Sequence, residues 1–189
     1  MKKEVLNITI TGPRSVGKTT ISKIVAKKLN LKYISSDEIG HKALKKQGGL
    51  DKAIKSGIIK KFIEKRGYDL ITRIYKKEKN YIFDLSGGSF TYKDFPRASE
   101  EVRQFAKKNS VVIGLLPSRC FILSIFTLFS REKKRAHFKD FNKLTLFWKT
   151  LKRHPRFLYI LRRNANFIIY IRNKTPEQIA NEIVTKYSQ

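Results

Sequence analysis

The chain has 189 residues, 41% of them hydrophobic and 30% charged, which suits one folded domain and excludes a disordered or collagen-like polymer. Lys and Arg number 42 against 15 Asp and Glu, a formal charge of +27. Such a surface favours polyanions (nucleotides, phosphorylated metabolites, nucleic acid or anionic membranes), unless the excess is only a solvated, lysine-rich exterior.

From the N-terminus, Glu4 to Thr11 is a β-rich apolar run, followed at once by a glycine-containing loop. Lys18 to Leu29 places Ile21, Ile24, Val25 and Leu29 on one helical stripe. Leu31 to Ile34 predicts a second strand, residues 38 to 76 a helical region, and Tyr81 to Leu85 a third strand ending in Ser86, Gly87 and Gly88. Residues 99 to 108 predict a helix and Val111 to Leu116 a fourth strand. Residues 121 to 163 read as mostly helix with a very basic middle, and Phe167 to Ile171 as a fifth strand. The last helix has Thr175 as N-cap, Pro176 in its first turn and Gln178 completing a capping box, with Ile179, Ile183, Val184 and Tyr187 as its buried face. Five strands alternating with helices imply an α/β fold: one domain over residues 1–189, a parallel sheet with helices on both faces.

The most apolar stretch, residues 111 to 129, is split by Pro117, Ser118 and Arg119, and neither half reaches the roughly 20 residues of a membrane span. With no apolar run near Met1 long enough for a signal peptide, cytoplasm is the expected location. The single cysteine, Cys120, excludes an internal disulfide and a zinc site with cysteine pairs. Its apolar neighbours predict a buried, inert thiol.

Gly12-Pro13-Arg14-Ser15-Val16-Gly17-Lys18-Thr19 fits G-x-x-x-x-G-K-[ST] in full, between a strand and an amphipathic helix, with Thr20 next in line. The two glycines let successive N–H groups converge on one phosphate, and the helix that follows aims its positive end at the same point. Lys18 can reach the β- and γ-phosphates of ATP, and Thr19 can ligate Mg²⁺. No guanine-recognition signature of the NKxD kind is visible. The length leaves no room for a second helicase core, so a small kinase or a small nucleotide-dependent binding protein remains.

Beyond this loop the chain resembles the shikimate kinase family, within the wider group of nucleoside-monophosphate-kinase-like enzymes. Tyr33-Ile34-Ser35-Ser36-Asp37-Glu38-Ile39 is similar to that family's D-S-D-x-x-I segment. The resemblance implies that Asp37 binds and orients the acceptor hydroxyl, while Ser35 stands where the family has its first, magnesium-organising aspartate. Asp84, ending an apolar strand, could hold a magnesium water instead, or could simply cap the turn. Asp37 could equally be only the N-cap of a helix beginning near Glu38.

Arg66-Gly67-Tyr68-Asp69 is similar to the family's F-R-x-x-E, whose arginine binds the acceptor, and Ser86-Gly87-Gly88 resembles its acceptor-lining G-G-G. Leu115-Leu116-Pro117-Ser118 follows strand four as similar runs do in some members. The basic segment from Arg131 to His137 falls where the family has its lid, implied here over about 130–152, with Arg131 and Arg135 as candidate phosphate-clamping residues. Arg153-His154-Pro155-Arg156-Phe157-Leu158-Tyr159 resembles R-x-P-L-Y, so Arg153 and Arg156 compete for an acceptor-binding role.

The implied activity is transfer of the γ-phosphoryl group of ATP to a hydroxyl of a small, anionic acceptor, shikimate or something like it, by a monomer. The alternatives are a nucleoside or nucleotide kinase on the same scaffold, a nucleic-acid-associated P-loop protein (disfavoured because the basic residues are dispersed), and a relative that has lost activity through Ser35.

Overall fold

The computed structural model describes residues 7–66, 68–133 and 142–188. Five strands form one parallel sheet: β1 Asn7–Thr11, β2 Lys32–Ser35, β3 Tyr81–Asp84, β4 Val111–Leu116 and β5 Phe167–Tyr170, in spatial order β2-β3-β1-β4-β5. The helices are α1 Lys18–Leu29, α2 Ser36–Ala43, α3 Gly49–Lys55, α4 Ile58–Arg66, α5 Asp69–Lys77, α6 Gly87–Thr91, α7 Pro96–Asn109, α8 Phe121–Glu132, α9 Lys143–Asn164 and α10 Pro176–Ser188.

Strand alternation sorts the core into two layers. Ile8, Ile10, Ile82, Ile113, Leu115 and Ile169 pack on one face against α1 and α10. Tyr81, Phe83, Val112 and Leu116 point to the opposite face and meet α5, α7 and the end of α9. Each wholly buried Ile or Phe side chain contributes about 1.5–3 kcal/mol. The central strand also buries Thr9, whose hydroxyl is satisfied by Tyr75 Oη at 3.1 Å and Ser110 Oγ at 2.7 Å, and Thr11, whose hydroxyl has no partner among the described residues.

The capping box at α10 forms reciprocally: Gln178 N donates to Thr175 Oγ1 at 3.2 Å, and Thr175 N donates to Gln178 Oε1 at 2.8 Å. Cys120 departs from expectation. It is exposed, because it stands in the non-helical N-cap position of α8, where the chain leaves β4 over the surface.

The chain leaves β1 toward β2 on one side, and β3 toward β4 on the other. The crevice this creates at the carboxyl ends of β1 and β3 is where open α/β sheets take their ligands.

Candidate active site

The loop between β1 and α1 is shaped by its backbone. Gly12 has φ 153° and a Cβ there would run into the carbonyl oxygen of Leu115 on β4, so only glycine lets the loop lie against the next strand. Ser15 adopts φ 65°, and α1 begins at Lys18 with Gly17 as cap, no side-chain capping bond and no acidic residue in its first turn. Its first N–H groups and its positive dipole end therefore face the loop's concave side. The Ser15 hydroxyl is buried and finds no hydrogen-bond partner among the described residues. Lys18 Nζ curls back to donate to Gly12 O at 3.1 Å and Pro13 O at 3.2 Å. Arg14 and Thr20 are exposed on the loop and on α1, whereas Pro13 and Val16 are buried beneath it.

The Thr19 hydroxyl donates to Asp84 Oδ2 at 2.6 Å. Tyr33 donates to the same oxygen at 3.2 Å. Burial first, and then the Asp84 charge, push the Tyr33 phenol well above its ordinary value of 10.0, which keeps it a donor. Asp84 thus has two side-chain donors on its carboxylate rather than serving only as a turn cap. Tyr33 was not anticipated, although it shares a β2 face with Ser35 by strand alternation, a signal the sequence already carried.

Asp37 does not N-cap its helix. The helix α2 begins at Ser36, and the cap is Ser35, whose Oγ accepts from Glu38 N at 3.3 Å. Asp37 occupies the exposed second position of α2, at the positive end of that helix. Next to it, Ser36 Oγ accepts from Ser86 N at 2.7 Å, which ties the loop after β2 to the loop after β3. A Cβ at Gly87 would collide with the Gly12 carbonyl oxygen and lie 2.7 Å from the Phe157 ring, so the backbone after β3 rests directly on the phosphate loop. Gly88 is open, with Ser86 Oγ at 3.5 Å from an added Cβ.

The arginines divide. Arg131, at the end of α8, reaches Val16 O and Ser15 O over 3.4 and 3.5 Å, so it lies over the phosphate loop. Together with Leu123, Phe126, Thr127, Ser130 and Arg172 it lines an open cleft of about 490 Å³. Arg156 donates from Nε to Thr91 O at 2.7 Å and from Nη2 to Tyr92 O at 3.5 Å, satisfying carbonyls at the C-terminal end of α6. Arg153 is exposed on α9, and Arg66 is exposed with its guanidinium 6.0 Å from the Phe62 ring. Arg135 lies outside the described residues. Of the segment about 130–152, the described parts are the end of α8 and the start of α9, clasped by the Thr150 hydroxyl donating to Glu132 Oε2 at 2.9 Å. The sequence reading also missed Phe157 against Gly87 and the cleft of Leu123 and Arg172, both of which depend on tertiary packing.

Residues 14–188 match the family profile described as shikimate kinase. A shikimate kinase from Thermodesulfovibrio yellowstonii is 29% identical, the match covering 97% of this chain and 95% of that one. A cytidylate kinase from Sulfurisphaera tokodaii is 34% identical over 113 residues, a match to 55% of this chain and 63% of that enzyme, under two thirds of its length. In fold, the chain is similar to the shikimate kinase from Acinetobacter baumannii in complex with shikimate, with a TM-score of 0.69, 21% identity, and coverage of 98% and 94% of the two chains.

Proposed function

The chain belongs to the shikimate kinase family of ATP-dependent small-molecule kinases, and from that premise we propose that it phosphorylates a hydroxyl of shikimate or a closely similar anionic acceptor at the crevice between Gly12 and Gly87. The observation that carries this reading is the contact between those two glycines: phosphate loop and acceptor loop meet backbone to backbone, so donor and acceptor held by them lie side by side. The Acinetobacter baumannii relative, whose structure holds shikimate, supports the acceptor class.

In this reading Gly12 to Thr19 wrap the phosphates of ATP, with Thr20 next to them on α1. Lys18 exchanges the Gly12 and Pro13 carbonyls for phosphate oxygens, and the Ser15 hydroxyl gains a partner. Thr19 and Asp84 fit Mg²⁺: the Thr19 hydroxyl, hydrogen-bonded to Asp84 at 2.6 Å beside the phosphate loop, would ligate the ion, and the Asp84 carboxylate would hold one of the waters that it keeps. When bound, Mg²⁺ neutralises charge on the transferring phosphoryl group. Arg131 adds positive charge on the lid side, and Arg135 is assigned the same task. Asp37 orients the acceptor hydroxyl and accepts its proton, while Gly87 and Gly88 let the acceptor approach closely. Arg66 and Arg153 are the guanidinium groups available for an anionic acceptor, because Arg156 already satisfies the α6 carbonyls.

A second reading, a nucleotide kinase, is favoured by the cytidylate kinase match. ATP turnover against shikimate, nucleosides and nucleoside monophosphates separates the two. Turnover is expected with shikimate; turnover confined to a nucleoside monophosphate would transfer the assignment to the second reading.

A further inference from the structure

The helices α8 and α9 lie side by side and turn an apolar ridge away from the core. Ile122 is 61% exposed, Phe126 57%, Leu144 64% and Trp148 51%. On each helix the two residues stand one turn apart, so each contributes one exposed stripe. The Phe147 ring joins the stripes, lying 6.2 Å from Phe126, 5.5 Å from Phe129 and 6.4 Å from Trp148. Single exposed apolar residues are ordinary, but a joined group on two helices marks a contact surface.

The border of the ridge carries one sign of charge. Lys133, Lys143, Lys149 and Lys152 are all exposed. Between Ser118 and Asn164 the sequence has 13 Lys and Arg against two acids, Glu132 and Asp140. Glu132 is buried and accepts a hydrogen bond from Thr150, so it does not offset this border at the surface. Asp140 lies outside the described residues.

We propose that this ridge docks the chain on the surface of an anionic lipid bilayer, with Ile122, Phe126, Leu144 and Trp148 entering the boundary between headgroups and acyl chains and the lysines facing lipid phosphates. An apolar face bordered by lysines is the pattern of an interfacial helix rather than a spanning one. Among the described residues no helix is long and apolar enough to cross a membrane. A second copy of the chain would set one basic border against another. A nucleic acid would use the rings and the lysines but offers nothing to Ile122 and Leu144, and those two side chains decide for lipid.

Trp148 is the only tryptophan in the chain, so its emission reports on the ridge alone. The full chain is mixed with vesicles of phosphatidylglycerol and phosphatidylcholine, with phosphatidylcholine vesicles, and with anionic vesicles carrying brominated acyl chains. The emission is expected to shift to the blue on anionic vesicles only and to be quenched by the brominated lipid. Ile122→Ser with Leu144→Ser is expected to weaken vesicle co-sedimentation about ten-fold, and Lys143→Glu or Lys149→Glu by at least about five-fold each, with cooperative thermal melting retained in all of them. The proposal is overturned by a Trp148 emission indifferent to anionic vesicles. It is equally overturned by a response to single-stranded RNA that survives Ile122→Ser with Leu144→Ser while vesicles do nothing, or by a ridge-dependent dimer in sedimentation without vesicle binding.

Discussion

Ser35 and Asp84 are register partners on the neighbouring parallel strands β2 and β3. The family pattern has its first aspartate at the Ser35 position, so this chain carries a carboxylate one strand over, on the same rung. Asp84 accepts the Thr19 hydroxyl there, and Ser35 is left to cap α2. Exchanging the two roles is therefore a direct experiment. Asp84→Asn keeps an acceptor for Thr19 and Tyr33 but removes the charge, and turnover is expected to fall on the order of 10²-fold with a higher Mg²⁺ requirement. Ser35→Asp in that background still caps the helix and is expected to recover part of the loss. Titration of initial rate against Mg²⁺ for the single and double variants checks it, and a double variant no better than Asp84→Asn would show that the two rungs are not equivalent.

Lys18→Ala removes the side chain placed to reach the β- and γ-phosphates. Turnover is expected to fall by about 10²–10³-fold, with a thermal midpoint close to the parent because Lys18 is the half-buried first residue of α1 and not part of the core. Full turnover in the variant would place catalysis elsewhere.

Asp37 and Ser35 separate chemistry from capping. Asp37→Asn is expected to lower kcat by about 10²–10⁴-fold and leave stability unchanged, since the cap belongs to Ser35. Ser35→Ala is expected to cost roughly 1 kcal/mol in denaturant unfolding. An Asp37→Asn enzyme with parental turnover would remove Asp37 from the acceptor site.

The adjacent glycines are expected to respond in opposite ways. At Gly87 an added methyl meets the Gly12 carbonyl and the Phe157 ring, so Gly87→Ala is expected to destabilise by about 1–3 kcal/mol and to depress activity. At Gly88 nothing lies closer than Ser86 Oγ at 3.5 Å, and Ala should fold normally. Melting curves of the two single variants suffice.

His154 is buried on α9, with its ring 5.5 Å from Phe121 and its Nδ1 without a partner among the described residues. Burial lowers its pKa from the ordinary 6.5, so the folded chain resists protonation there. The sign follows: above 6.5 the residue costs nothing, and below it the unfolded chain binds the proton more readily, so stability drops as the pH falls toward the lowered folded value. His154→Leu is expected to flatten this slope between pH 6.5 and the lowered value in thermal melts taken across pH.

The fold was legible because the strands are short apolar runs with clear stops, and the phosphate loop because its chemistry requires adjacent residues. Thr175 and Gln178 show how far local signals reach: both hydrogen bonds of that box form as read. Cys120 shows where they fail, since an apolar neighbourhood in sequence says nothing about which face of a helix start meets solvent. The Tyr33–Asp84 bond spans 51 positions, and the Arg156 bond to Thr91 spans 65. Such pairings depend on how β2 meets β3 and how α9 meets α6, and no local pattern encodes them.

Where Gly12 meets Leu115 and Gly87 meets Gly12, neither glycine has room for a side chain. Substitution at those two positions can change only how the loops pack. On the proposed reading, a change of acceptor falls instead to Arg66, Asp37 and Arg153, which are exposed at the ends or on the outer faces of α4, α2 and α9. Substrate choice in such a molecule can drift by single replacements at the margin while the transfer geometry at its centre stays inherited and unaltered.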